Sequence, residues 1–306
     1  MVIFNSIEDI QNIPKTVLTM GTFDGVHRGH KKIFEMVVDL AKKEKAKSLV
    51  ITFDTNPYNQ FNRNIGKEKF CISDLKTKIN LISKCKIDYI LVLPFNKSIA
   101  ELSAISFLKK YIIKYFHPKS IVIGYDHHFG KDKAGDIEFL RKYSNQFNYS
   151  VYQVPVLENN ELPISSSLIR SFISDGHIER AKDILGRKFN INGLIVHGSG
   201  RGKLIGLPTA NIEPQNNSQL IPANGVYCVS VLIDNISYSG ICNIGTRPTF
   251  DKELDSIIEV NIFKFNSNIY GKEVIIFFNK RIRTEKKFSN KEELLLQIEQ
   301  DKKKCK

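Results

Sequence analysis

Gly21-Thr22-Phe23-Asp24-Gly25-Val26-His27-Arg28-Gly29-His30 follows the apolar run Thr16 to Met20 and precedes a stretch of helical periodicity, Lys31 to Lys42. Read as strand, glycine-rich turn and helix start, it decides the fold of the first half, because a strand handed on to a helix in this way opens an α/β unit. His27 and His30 stand three residues apart, one just ahead of the helix and one on its first turn, so they fall on the same side of its N-terminus. Unpaired amides and the positive end of the helix dipole favour an anion there, and Gly21, Gly25 and Gly29 let the backbone approach it closely. Phe23 and Asp24 belong to the same candidate phosphate site. Two other readings stay open at this stage: a surface turn with two histidines, or a metal pair, since i, i+3 histidines can ligate zinc.

Outward from this stretch, short apolar runs alternate with amphipathic ones: Ser48 to Phe53, Lys76 to Cys85, Tyr89 to Leu93, Ser103 to Phe116, Ser120 to Gly124, Ile137 to Phe147. Strands joined by helices run parallel with the helices on both faces, which predicts a Rossmann-like, doubly wound α/β domain that binds ligands at the carboxyl ends of its strands. Two more loops fit such a site. In Pro163-Ile164-Ser165-Ser166-Ser167-Leu168-Ile169-Arg170, serines at a helix start can cap it and donate to phosphate, with Arg170 as a forked cation one turn on; the plain alternative is an N-cap with a surface arginine. In Gly124-Tyr125-Asp126-His127-His128-Phe129-Gly130, Asp126 can accept from a ribose or a base, while the two histidines read equally well as bystanders.

Beyond Leu185 the texture changes to β-rich runs punctuated by Gly, Pro and Asn, from Ile191 to His197 through Gly225 to Ile233, Tyr238 to Ile244, Ile257 to Phe265 and Glu273 to Lys280. Helical period returns only at Lys291 to Gln300. A C-terminal antiparallel β-barrel closed by a terminal helix fits, giving expected domains of 1–184 and 185–306 with the boundary near 183–188. Within it, Gly193 to Asn211 is glycine-rich and basic. It is not a Walker A loop, because Leu204 follows Lys203 and no helix comes after. Gly198 and Gly200 can form an anion nest with Arg201 or Lys203 as counter-charge. Thr209 and Asn211, two apart behind Pro208, offer oxygens to one side that suit Mg2+ bridging nucleotide phosphates. Glu259 is the acidic residue placed to take a proton from an alcohol. A flexible basic loop, a turn and an exposed strand carboxylate would leave the same trace.

The bulk properties limit the function classes. With 306 residues, two cores are natural. Five cysteines without a C-x-x-C pair predict reduced thiols. Neither an export signal nor an apolar span of bilayer length is present, so a cytoplasmic protein without membrane contact is expected. The net charge of +13 is scattered. Clusters such as Lys42, Lys43, Lys45, Lys47 and Lys302, Lys303, Lys304, Lys306 lack interleaved aromatics and read as solvated faces rather than a nucleic-acid groove.

The strings GTFDGVHRGH, GYDHHFG and ISSSLIR together resemble the adenylyltransferase half of the bifunctional bacterial riboflavin kinase/FMN adenylyltransferase (FAD synthetase) family. GSGRGKLIGLPTANI, GVYCVSV, CNIGTRPTF and IYGKEVIIFFNKRIRTEKKF resemble its riboflavin kinase domain, in order and over nearly its length. The resemblance implies a six-stranded barrel binding MgATP beside Pro208-Thr209-Ala210-Asn211, with Glu259 as base, and Arg283 matches a family position. It implies ATP, riboflavin and FMN as substrates and Mg2+ as cofactor; self-association is left open. Asn56, Ser167 and Leu207 depart from residues frequent in the family. Two rivals remain: an adenylyltransferase for another phosphorylated cofactor precursor with the barrel as a binding module, and a non-catalytic basic nucleic-acid binder.

Overall fold

The structure, a computed structural model, describes residues 1–55, 70–159, 161–198, 207–246 and 256–305. It divides into two compact units, Met1–Cys71 with Leu75–Ser165, and Ile72–Asp74 with Ser166–Lys306.

The first unit contains β1 (Val2–Phe4), β2 (Thr16–Met20), α1 (Arg28–Lys43), β3 (Lys47–Phe53), α2 (Leu75–Ser83), β4 (Tyr89–Leu93), β5 (Pro118–Gly124), α3 (Ile137–Phe147), β6 (Ser150–Val154) and a two-strand hairpin, β7 (Glu158–Asn159) with β8 (Leu162–Pro163). The first six strands form one parallel sheet in the order β1-β4-β3-β2-β5-β6. Its central strands are covered on both faces. Leu18 and Met20 of β2 enter one buried cluster with Leu49, Ile51 and Phe116, while Val17 enters another with Phe34, Val37 and Val50. That is why β2 reads as a continuous apolar run rather than an alternating one. The chain leaves β2 for β3 and β4 on one flank and crosses to β5 on the other. The topological switch point therefore lies between the carboxyl ends of β2 and β5, from which the Gly21 and Gly124 loops depart.

Two strands escape the apolar pattern. β1 is a three-residue edge, and β6 is a largely exposed edge whose Tyr152 and Gln153 face solvent. The stretch Ser103 to Phe116 is broken into Ala104–Phe107, a π-type turn over Leu108–Ile113, and Lys114–Phe116.

In the second unit, α4 (Ser166–Ser174) and α5 (Ile178–Leu185) precede the strands β9 (Asn190–Val196), β10 (Ala210–Pro214), β11 (Gly225–Ile233), β12 (Ile236–Thr246), β13 (Ser256–Ile262) and β14 (Glu273–Arg283). The six close into an antiparallel barrel in the order β10-β13-β12-β11-β14-β9. The two helices belong to the same compact unit as the barrel. Tyr227 and Phe278 meet edge-on at 5.5 Å in the core, with Phe189 5.7 Å from Phe278. The β11–β12 hairpin turns on Asp234 and Asn235, both at positive φ (48° and 65°), the two-residue turn whose twist matches its strands.

The terminal helix α6 (Lys291–Lys304) is capped by the Asn290 side chain, which accepts from the Glu293 N–H. Arg283 Nε donates to Asp301 Oδ2 at 2.9 Å, and the Asp301 side chain is 1% exposed. Cys305, just past the helix, is disulfide-bonded to Cys228 of β11. The expectation of reduced thiols thus fails for this pair, while Cys71, Cys85 and Cys242 form no disulfide. An odd count and a separation of 77 residues hide a pair that only the folded helix brings together.

Candidate active sites

At the switch point, His27 is the N-cap of α1. Its Nδ1 accepts from the His30 N–H at 3.3 Å, so in the neutral ring the proton sits on Nε2, which is then a donor. The two imidazoles stack with centroids 3.5 Å apart and planes within 20°. Phe23 meets His30 edge-on at 5.2 Å. Ring nitrogens bond in the ring plane, and two nearly parallel planes do not converge on one ion, which disfavours the zinc-pair reading. Gly29 permits the stack: a Cβ there would lie 3.2 Å from the His27 ring. Phe23, Asp24, Gly25, Val26 and His27 are all buried. The turn is bent sharply, with φ of 48° at Phe23, 78° at Gly25 and 41° at Val26. Left-handed geometry at a non-glycine residue, above all at a β-branched one, is held only when its surroundings enforce it.

Behind this turn lies a group that sequence reasoning missed. Lys78 of α2 is 5% exposed, and its Nζ donates to the carbonyls of Thr22 (3.2 Å) and Phe53 (2.6 Å). Thr52 Oγ1 donates to the same Thr22 oxygen at 3.1 Å. Burial lowers the Lys78 pKa to about 8 against the opposing pull of Asp24, Cys71 and Asp54. A signal existed: Leu75, Lys78, Ile79 and Ile82 share the i, i+3, i+4, i+7 spacing of a buried stripe, and one of the four is charged.

Asp126 follows β5, with its Oδ1 3.7 Å from where a Gly124 Cβ would stand, so it leaves the strand adjacent to β2 as expected. His127 is held neutral, its pKa lowered to about 4 by burial and by His128. Ser165 closes the first unit; Ser166, Ser167 and Arg170 lie on α4 in the second.

In the barrel, Asn211 of β10 stands opposite Glu259 of β13, and Glu259 opposite Asn243 of β12. Directly opposed residues of antiparallel strands share a face. Their neighbours Ile212, Ile258, Val260, Cys242 and Ile244 are buried, so the three polar side chains form one row on the face turned away from the barrel core. Asn243 Nδ2 donates to Glu285 Oε1 at 3.4 Å. Any side chain at Gly198 would collide with the Asn211 carboxamide, so the start of the basic loop runs directly against it. Pro208, just before Thr209, is anchored through its carbonyl by Asn261 Nδ2 at 2.8 Å. Gly200, Arg201, Lys203 and Asn56 lie outside the described residues. Arg283 is engaged with Asp301 and with the Thr284 carbonyl. Asn243 gave no sequence signal, since a polar residue on the outer face of a strand is ordinary.

Comparison with known proteins covers both halves. The FAD synthetase family model matches residues 9–168 and the riboflavin kinase family model residues 185–306. A bifunctional riboflavin kinase/FMN adenylyltransferase from Buchnera aphidicola subsp. Schizaphis graminum is 36% identical over 96% of this chain and 96% of its own. That of Bacillus subtilis is 37% identical over 94% and 90%. A crystal structure of a macrolide-efflux protein from Streptococcus pneumoniae superposes with a TM-score of 0.89 at 33% identity, covering 99% of this chain and 97% of that one. Among the described residues no helix is long and apolar enough to cross a membrane.

Proposed function

The chain belongs to the bifunctional riboflavin kinase/FMN adenylyltransferase family, and from that premise we propose which residues perform each step. It is an ATP-using enzyme of flavin cofactor biosynthesis that phosphorylates riboflavin to FMN and adenylylates FMN to FAD with release of pyrophosphate.

In the kinase reaction Glu259 accepts the proton of the terminal ribityl hydroxyl as its oxygen attacks the γ-phosphorus, and ADP leaves. Thr209 and Asn211 supply hard neutral oxygens, a donor set that fits Mg2+, which when bound neutralises phosphate charge. Gly198, with Gly200, Arg201, Lys203 and Pro208 along the same loop, cradles the nucleotide. The observation that carries this assignment is the cross-strand row Asn211–Glu259 with the Gly198 backbone pressed against its first member.

In the second reaction an FMN phosphate oxygen attacks the α-phosphorus of ATP and pyrophosphate departs. Nothing need be deprotonated, so the protein's task is placement and charge neutralisation. The His27 Nε2–H, His30 and the glycine-rich loop Gly21 to Gly29 serve the phosphates, Asp126 the nucleoside, and Ser165, Ser166, Ser167 and Arg170 add donors. Arg283 we keep among the binding residues of the kinase half on family resemblance alone. A cytosolic location without nucleic-acid or membrane partners completes the reading. Pure protein given riboflavin and MgATP is expected to yield FMN and then FAD by chromatography; folded protein that yields neither overturns it.

A further inference from the structure

Neither reaction as assigned above uses the cation beneath the first unit's phosphate loop. Lys78 and Thr52 both donate to the Thr22 carbonyl, fixing it from the sheet side. Among the described residues no peptide bond is cis. In a trans peptide the C=O and the following N–H point in opposite directions, so this contact turns the Phe23 N–H away from Lys78. Two amides of the same turn are otherwise occupied: the Gly21 N–H bonds the Ile51 carbonyl, and the Val26 N–H the Phe23 carbonyl. Phe23 is also the first left-handed residue of the turn. The contacts on Thr22 thus fix the peptide at which the strained stretch begins. An interior ammonium is costly in itself, and a helix needing only packing at this position would carry an apolar side chain, as it does at Leu75, Ile79 and Ile82.

We infer that Lys78 is a positioning residue for adenylyl transfer: it holds the Thr22–Phe23 peptide so that its N–H joins the donors to the phosphates of ATP, and it backs the loop with buried positive charge. The inference rests on the assignment of this loop to ATP.

The test compares Lys78→Met, Lys78→Arg and Thr52→Val in the full chain, following FAD formation from FMN and ATP with kcat and the KM for ATP separated, and FMN formation from riboflavin in parallel. For Lys78→Met, kcat/KM for FAD formation is expected to fall about 100-fold, the scale of losing a preorganised donor, with riboflavin phosphorylation unchanged. Thr52→Val, which removes one neutral hydrogen bond to the same carbonyl, should lower it about 3- to 10-fold. Lys78→Arg should recover part of the loss. A purely structural role would reduce the amount of FMN-binding protein but leave kcat/KM per bound site intact, and that result overturns the inference. If Lys78→Met does not fold, Thr52→Val decides, and unchanged kcat/KM there overturns it as well. Failure of the underlying reading looks different: wild-type FAD formation would survive replacement of His27 and His30.

Discussion

An ammonium held in the interior leaves a thermodynamic mark. With the folded Lys78 pKa lowered to about 8 from 10.5, the unfolded chain keeps its proton across a window in which the folded chain has lost it. Stability attributable to this group therefore rises with pH between those values, and below the lower one the burial penalty is present in full. The span corresponds to roughly 3 kcal/mol at most. In denaturant titrations, wild type is expected to gain stability relative to Lys78→Met on going from pH 7 to pH 10; a constant difference would contradict the shift. At this scale the sequence was legible where residue identity is scarce and constrained. Glycines that admit a ring, and histidines at a helix start, leave few alternatives. Lys78 was lost among 45 lysines and arginines, because only its place in the buried stripe distinguishes it. Asn243 could be found only through strand register, which one sequence does not contain.

Among the elements, α6 shows how a weakly amphipathic helix is retained. Asp301 is its only fully buried residue, so docking depends on specific links rather than on an apolar stripe. Removing one partner of a buried ion pair strands the other; Asp301→Ala is expected to destabilise the barrel unit by about 3 kcal/mol, lowering the temperature at which kinase activity is lost. The disulfide adds a second link, worth about 4 kcal/mol in the chain-entropy picture for a loop of this length. Thiol titration of the unfolded, unreduced protein should find three thiols, and reduction should lower the barrel's melting temperature. Five thiols before reduction would show that the pair does not form. The elements themselves followed from hydrophobic period where packing demanded it: the α1 stripe Ile33, Phe34, Val37, Val38 and Ala41, and the apolar run of β2. Edge strands β1 and β6 lack that demand, and their pattern was correspondingly silent.

For the whole molecule, the separateness of the two sites is the main expectation. Replacing His27 and His30 together should abolish FAD while sparing FMN, as measured by product chromatography; equal loss of both would contradict two independent centres. Glu259→Gln should lower FMN formation by at least about 100-fold, on the scale of general-base catalysis, while FAD still forms from supplied FMN. Unaltered kinase turnover would remove Glu259 from that role. The order of the two fold types was readable because periodicity changes from helical to strand-like along the chain, whereas ring closure of the barrel depends on pairings between distant strands. The pairing of β9 with β14, Asn190 opposite Phe277 through Leu194 opposite Glu273, carries a consequence for synthesis. The first strand of the barrel waits for the last, so the ring can close only once β14 has been made. A product terminated before Glu273 would leave β9 and β11 with unsatisfied ladders, templates for neighbouring chains, and is expected to precipitate rather than persist as a soluble fragment.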